Sequence, residues 1–337
     1  MAFNQIPPEL YLNYILPHAV RKPMKLLDWI DINKLDWWEL SGNPNVIDLL
    51  IKYHKNKRNI SDNHRLNWSR LSLNPNIIDI LIEYFNGAPV YWQGLSYNKS
   101  EKARDILKAN PDKINWECLV RNDSAWAIEL IKSEIIANPS KIGKYHWRFL
   151  SENTSKEAIE LLKSNQDKID WIYLSINPSD YAIELIKSAL ISNNKKKEIS
   201  WSLLSLNPSD GAIEILKANP NKIVWDNISR NPNPGAIELI TKHLISNPNK
   251  NKIDWSEVAR NESIDAMEIL TKQLISNPNN IDWTWLSRNP YAIDILKANK
   301  HKIHWGFLSS NPSIFEFDYK KWDELMIEYC ERFIYTN

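Results

Sequence analysis

The chain has 337 residues, of which 43% are hydrophobic and 25% are charged, so it can bury a substantial core. Its 42 lysines and arginines nearly balance 41 aspartates and glutamates, which argues against a dedicated nucleic-acid binder because such proteins carry a basic excess. The chain has sixteen tryptophans but only seven glycines. So few glycines exclude most glycine-rich phosphate loops and disfavour an all-β fold with many tight turns.

The first 30 residues precede any recurring motif. They contain clustered apolar residues but no basic stretch followed by an apolar run, so we expect a helical N-terminal cap over residues 1–30 and no signal peptide. No apolar run in the sequence approaches the roughly 18 residues that span a bilayer. We therefore expect an intracellular protein that is not secreted and makes no membrane contact.

A motif that opens with tryptophan recurs eleven times between residues 31 and 312. It consists of Trp, two variable residues, an aliphatic residue, usually Ser, one variable residue and Asn, often followed by Pro and by a run such as Ala-Ile-Glu-Leu-Leu-Lys. The commonest spacing is 24 residues, and a longer variant has about 30. The predicted structural anchors are Trp37, Trp68, Trp92, Trp116, Trp147, Trp171, Trp201, Trp225, Trp255, Trp283 and Trp305.

Each copy of the motif predicts two short helices. The residue before Trp is Asp, Asn or Ser in seven copies, and such side chains accept hydrogen bonds from the free amides at a helix start. Asn lies six places after every anchor and Pro follows it in seven copies, which predicts a second helix with Asn as N-cap and Pro in its first turn. This second helix carries apolar residues at i, i+1, i+3 and i+4, and the longer copies extend it by nearly two turns. The predicted N-caps are Asn43, Asn74, Asn177, Asn207, Asn231, Asn289 and Asn311.

Helices this short are marginal in isolation, so the copies must stack on one another. We expect each Trp ring to lie between consecutive copies, where its burial contributes roughly 2–3 kcal/mol. The predicted fold is an all-α, right-handed αα-superhelix (solenoid) of about eleven two-helix repeats. The repeats occupy residues 31–312, and helical caps at 1–30 and 313–337 cover the two ends of a path roughly 100 Å long.

Copies such as IDWIYLSINPSDYAIELIKS resemble the W-x-x-L-S-x-N-P tandem-repeat proteins of giant DNA viruses that infect amoebae, and the resemblance covers the chain from about Leu26 to Tyr319. The segment from Ile314 to Tyr319 also looks like the ending of that family. The resemblance implies a viral repeat protein of the host cytoplasm or the virus particle, and it brings no catalytic residues. Four copies depart from the motif after Asn, where Pro is replaced by Lys99, Asp123, Thr154 and Glu262.

An acid occupies the same position of the second helix in ten copies, from Asp48 to Asp294, and a Lys usually follows three or four places later. The favoured interpretation is a solvated face with weak ion pairs along each helix. A striped surface for a basic partner is the alternative.

The two positions after Trp and the one before Asn vary among copies, whereas the framework positions repeat. Several of the variable positions hold Arg or an aromatic residue, which is the chemistry of interaction hot spots. We expect these side chains to line one face and contact a partner; the alternative is that several simply pack between repeats. The candidate partner-binding residues are Arg121, Tyr173, Arg230, Arg260, Trp285 and Arg288.

No catalytic, cofactor or metal site is expected. The two cysteines lie far apart in sequence, and His301 and His304 have no evident third ligand. The sequence contains no GxSxG, P-loop, HExxH or dinucleotide fingerprint. Basic turns such as 195–197 leave nucleic-acid binding open, but acids are interleaved with the basic residues along the helices, so it is disfavoured.

The sequence therefore predicts a non-enzymatic repeat scaffold that binds one or more proteins and is monomeric or weakly homo-oligomeric. The segment Ile6-Pro7-Pro8-Glu9-Leu10 faintly resembles the opening of an F-box, so a substrate-recruiting adaptor of a ubiquitin ligase is one alternative. A plain capping segment is the favoured interpretation of those residues. A structural component of a virus particle or factory is the other alternative for the whole chain.

Overall fold

The computed structural model describes residues 22–55, 67–74, 77–78, 91–192, 198–246 and 253–333, and in 53–55 and 329–333 it describes the backbone alone. Within these ranges the chain is helical apart from turns and one pair of three-residue strands. The prediction of an all-α chain is confirmed. In chain order the elements are β1 (Met24–Leu26), α1 (Trp37–Leu40), α2 (Ile47–Lys55), α3 (Trp68–Leu73), α4 (Trp92–Tyr97), α5 (Glu101–Ala109), α6 (Trp116–Leu119), α7 (Ala125–Ala137), α8 (Lys144–Glu152), α9 (Lys156–Ser164), α10 (Trp171–Leu174), α11 (Asp180–Ser192), α12 (Trp201–Leu206), α13 (Asp210–Ala218), α14 (Trp225–Arg230), α15 (Pro234–Ser246), α16 (Trp255–Arg260), α17 (Ile264–Ser276), α18 (Trp283–Arg288), α19 (Ile293–Ala298), α20 (Trp305–Ser309), β2 (Phe315–Phe317) and α21 (Tyr319–Phe333).

We call each copy of the motif, with its first and second helix, a unit and number the units in chain order. The first helix of each unit begins at its anchor tryptophan, except α8, which begins three residues earlier. The residue before Trp acts as N-cap where its side chain can accept: Asp36 Oδ1 accepts from the amides of Trp38 and Glu39, at 2.8 and 3.2 Å. Longer second helices are found where the spacing is longer, and α7, α11, α15 and α17 each have 13 residues.

The asparagines predicted as N-caps lie too early in the chain for most of the second helices. In the seventh unit Asn207 ends α12, and Ser209 caps α13 by accepting from the Ala212 amide at 3.2 Å. The reason is that the asparagine Oδ1 accepts from the amide two residues later and so closes a turn before the helix starts. The predicted caps Asn43, Asn177 and Asn231 make the same hydrogen bond to the amide two residues later, so they too close a turn before the second helix begins.

Two of the predicted asparagines do cap a helical turn. Asn289 and Asn311 precede the 3₁₀ turns Pro290–Ala292 and Pro312–Ile314, and each side chain accepts from the amide of the second residue of its turn at 2.9 Å. Asn74 ends α3, and the two residues that follow it lie outside the described residues.

The side-chain Nδ2 group of each motif asparagine forms hydrogen bonds to the preceding unit. Asn207 Nδ2 donates to the carbonyls of Ser175 and Asn177 in the preceding unit, both at 3.0 Å. The motif serine adds a second link, because Ser175 Oγ donates to the Trp171 carbonyl at 2.9 Å and accepts from the Ser200 amide of the next unit at 3.0 Å. These framework side chains are fully buried, so each unit depends on its neighbour to satisfy them.

The same pattern of hydrogen bonds also connects the last unit to the first. Asn43 Nδ2 donates to the carbonyls of Ser309 and Asn311, at 3.1 and 2.8 Å, and the Asp36 amide donates to Ser309 Oγ at 2.8 Å. Lys34 lies three residues before the first anchor, and its Nζ is 5.0 Å from the centroid of the Trp305 ring. The first unit therefore contacts the eleventh as each other unit contacts the one before it.

Both terminal segments complete this junction. Strands β1 and β2 pair antiparallel, with Lys25 opposite Glu316, and these two side chains form an ion pair at 3.0 Å. Asp48 accepts from the Met24 amide at 2.8 Å and from Lys321 Nζ of α21 at 3.1 Å. The expected helical cap at residues 1–30 is corrected for residues 24–26, which form a strand, whereas the segment 313–337 contains the long helix α21 as expected. The two ends contact each other instead of lying apart. Residues 1–21 of the expected N-terminal cap lie outside the described residues.

The core runs continuously through the units. Its fully buried members are the motif leucine or isoleucine of the first helix and the apolar face of the second, as in Leu174, Leu204, Ala212 and Leu216. Of the anchor tryptophans, Trp37 and Trp147 are buried and the other nine are half-buried against this core. The indoles thus pack against the core instead of projecting into water.

Candidate interaction face

The framework and the variable positions occupy different sides of the first helices. In most units the motif leucine, serine and asparagine are buried or nearly so. The side chains one, two and five places after the anchor are half-buried or exposed in most units, and we call them the variable face. Trp38, Leu73, Tyr97 and Ile172 are large apolar members that are 39–51% exposed. Residues that vary between units therefore lie where a partner can reach them.

Residues two places after the anchor contact one another from unit to unit. The Phe149 and Tyr173 rings meet edge to face with centroids 5.9 Å apart. The Arg121 guanidinium lies 3.6 Å from the centroid of the Phe149 ring, and that of Arg148 lies 5.0 Å from the Tyr173 ring. Tyr173, a predicted binding residue, is half-buried by these contacts, while Arg121 stays exposed. This part of the face is an aromatic strip edged by arginine.

A second group of the same kind occupies the ninth to eleventh units. Arg260 lies 4.0 Å from the centroid of the Trp285 ring and donates from Nη1 to Glu257 Oε1 at 2.8 Å. The Trp285 ring meets Phe307 edge to face at 5.2 Å. Trp285 and Arg260 are half-buried, and Arg288 is exposed at the end of α18. The structure therefore brings Arg260, Trp285 and Arg288 together and separates them from Arg121 and Tyr173.

One contact on this face was not predicted from the sequence. Arg70 Nη1 and Nη2 donate to both carboxylate oxygens of Glu39 in the preceding unit, at 2.6 and 3.1 Å. The two residues occupy the same motif position 31 residues apart, so only the stacking of the first and second units shows that they pair. The variable face thus includes internal ion pairs as well as exposed groups.

The acids of the second helices lie on another surface. Eight of them, from Asp105 to Asp294, are exposed, Asp79 lies outside the described residues, and Asp48 is buried in the terminal junction instead of being exposed as predicted. Lysines neutralise several: hydrogen bonds from Lys217 at 2.8 Å and Lys242 at 2.6 Å lower the pKa of the Glu238 carboxyl to about 2. This pairing within and between units favours the interpretation as a solvated face.

The described residues contain no group of three or more His, Cys, Asp or Glu side chains that could hold a metal ion. Burial raises the pKa of the Cys118 thiol, which is the opposite of what activates a nucleophile. No helix in the described ranges has the length and apolar character to cross a bilayer. Comparison of the chain with models of protein families, with curated proteins and with solved structures finds no match in any of the three.

Proposed function

We propose that this chain is a non-enzymatic tandem-repeat scaffold that binds a protein partner through the variable face. The observation that carries the proposal is the division of the first helices into a buried framework and an exposed side rich in arginine and aromatic residues. Scaffolding needs a constant core to hold the units together and variable side chains to recognise a partner. Both are present on each first helix.

We further propose that the repeats form a right-handed αα solenoid of eleven units closed into a ring, with the variable face directed inwards. The first helices contact each other more extensively than the longer second helices do, as expected on the inner circumference of a ring. With neighbouring helix axes 8–10 Å apart, eleven first helices would surround an opening of about 20 Å. Such an opening admits an extended segment or one helix, but not a globular domain.

The resemblance to repeat proteins of giant viruses supports a viral origin and action in the host cytoplasm or the virus particle, as a monomer or weak homo-oligomer. The F-box-like segment at residues 6–10 lies outside the described residues, and the adaptor function stays a prediction. No contact among the described residues favours that alternative or a structural role in the virus particle over partner binding.

Cross-linking of the purified protein in an amoebal lysate, followed by mass spectrometry, tests the proposal. The variant Trp38→Ser/Ile172→Ser alters two exposed apolar groups of the variable face, and Glu184→Lys/Glu268→Lys alters two exposed acids of the second helices as a matched control. We expect a partner whose cross-links map to the first helices and whose yield falls several-fold in the first variant only. A partner lost only in the control variant, or no protein cross-linked to the first helices, would contradict the proposal.

A further inference from the structure

Three arginines occupy the same motif position, directly before Asn, in the eighth, ninth and tenth units. Arg230, Arg260 and Arg288 end the first helices α14, α16 and α18. Their side chains line one cavity of about 140 Å³ together with Trp285, Asn289 and Glu262. A cavity of this volume has room for a small polar group such as a carboxylate.

The middle arginine is held in place by its own surroundings. Arg260 donates to the Glu257 carboxylate at 2.8 Å, and its guanidinium lies over the Trp285 ring. The same ring is supported from its edge by Phe307. The side of the cavity formed by Arg260 and Trp285 is therefore positioned before any ligand arrives, which lowers the entropic cost of binding.

The two outer arginines form no ion pair with any described residue. Among the described residues, carboxylates pair with Arg70, Arg104, Arg148 and Arg260, whereas Arg121, Arg230 and Arg288 have no such partner. Arg230 and Arg288 are exposed, and both line the cavity. Each presents a planar fork of donors that matches a carboxylate.

The charges around the cavity limit what it can bind. Glu257 and Glu262 offset two of the three arginines and leave one positive charge in excess, and the whole chain carries only +1. A polyanion such as a nucleic acid needs many cations along its path, because its affinity comes from displaced counterions. One carboxylate matches the single excess charge and fits within the cavity.

We propose that this cavity binds the carboxylate of an aspartate or glutamate side chain within an extended acidic segment of the partner protein. Arg230 and Arg288 hold the carboxylate oxygens from two sides, and the exposed part of the Trp285 ring contacts the methylene groups of the same side chain. The inference rests on the proposed scaffold function, since it names the chemistry of the partner at one part of the variable face.

A fluorescein-labelled peptide of ten glutamates, measured by fluorescence anisotropy, tests the inference, with a ten-glutamine peptide and a ten-nucleotide single-stranded DNA as comparison probes. We expect Arg230→Gln/Arg288→Gln to weaken binding of the glutamate peptide by about tenfold or more, because two charge-assisted hydrogen-bonding forks are lost. Arg104→Gln is the matched control, since Arg104 lies on a second helix with carboxylates as partners, and should change binding less than twofold. In side-chain NMR spectra, the Nε–Hε signals of Arg230 and Arg288 should shift on titration, while that of Arg104 stays unchanged.

Circular dichroism shows whether each variant is folded, and an unfolded Arg230→Gln/Arg288→Gln protein is replaced by the two single variants. Equal loss of affinity in the Arg104→Gln control, unshifted Arg230 and Arg288 signals, or tighter binding of DNA than of the glutamate peptide would overturn the inference. Those results would leave the scaffold proposal standing if cross-linked partners still depend on Trp38 and Ile172. If the cross-linked partners also fail to depend on Trp38 and Ile172, the scaffold proposal is overturned as well.

Discussion

The substitution Asn43→Ala tests the contact between the first and last units directly. Asn43 is fully buried, donates to the carbonyls of Ser309 and Asn311 at 3.1 and 2.8 Å, and accepts from the Asn45 amide at 3.0 Å. At about 1 kcal/mol net for each hydrogen bond, with a further cost for buried carbonyls left without a donor, the loss should be about 3–5 kcal/mol. In an open stack the same amide would face water, and its removal would cost about 1 kcal/mol or less.

Asn177→Ala provides the matched comparison from the middle of the chain. Asn177 makes the same three hydrogen bonds, at 2.9, 3.0 and 3.0 Å, to its own neighbours. Urea unfolding followed by tryptophan fluorescence should give nearly equal shifts in the transition midpoint for the two variants. A large shift for Asn177→Ala together with a negligible one for Asn43→Ala would refute the link between the first and eleventh units.

Three further predictions concern single contacts. Cysteines in place of Lys25 and Glu316, in a background with both native cysteines replaced by serine, should form an intramolecular disulfide that stabilises the protein by about 2–4 kcal/mol, and disulfide-linked dimers on a non-reducing gel would contradict the strand pairing. Gly94→Ala should lower the free energy of unfolding by about 1–3 kcal/mol, because the new methyl group would lie 2.6 Å from the Cβ of a serine in the preceding unit, whereas Gly143→Ala, with nothing within 4 Å, should change it by under about 0.5 kcal/mol in the same urea titration. The Glu238 carboxyl should titrate near pH 2 in carbon-detected NMR spectra. Its two ion pairs should stabilise the fold above the ordinary pKa of 4.5 and be lost as the pH falls towards 2. Replacing either partner lysine by Gln should raise the pKa of Glu238, and an unchanged pKa would show that the lysines are not the cause of its low value.

The helices were predictable because their signals are local. Apolar residues at helical spacing, an acceptor before Trp and a longer spacing for longer helices are all properties of a few adjacent residues. Several N-caps were misplaced for a local reason too, as at Asn207, where the cap lies two residues later. The sequence also offers Ser209 as an acceptor, but the Asn-Pro pair at 207 and 208 satisfies the helix-start pattern equally well, and only the backbone geometry separates the two.

Contact between the two ends was not predictable from the motif. In the proposed solenoid each unit adds a small rotation, and whether eleven such rotations return to the start depends on their sum, which no single copy encodes. The burial of Asp48 follows from the same contact, because Lys321 of α21 and the Met24 amide of β1 both bind its carboxylate. Asp48 therefore departs from its equivalents although the motif around it is ordinary.

The candidate binding residues were predictable as a class but not one by one. Variation among the copies indicated the exposed side of the first helices. Whether an arginine there is paired depends on the neighbouring unit, as shown by Arg70 with Glu39 and by Arg230 without an ion-pair partner among the described residues. Such pairs join residues of neighbouring units, 31 positions apart for Arg70 and Glu39, and sequence spacing alone does not reveal them.

The hydrogen bonds from Asn43 to Ser309 and Asn311 have a consequence for how such a gene can change. An open array can gain or lose a copy by recombination, and only its length is altered. In the proposed closed array of eleven copies a full turn is shared as about 33° per junction, so the deletion of one copy requires about 3° more bending at each of the ten remaining junctions. Copy number is then constrained by geometry, and single-copy duplications or deletions should be selected against even though the framework residues are nearly the same in every copy.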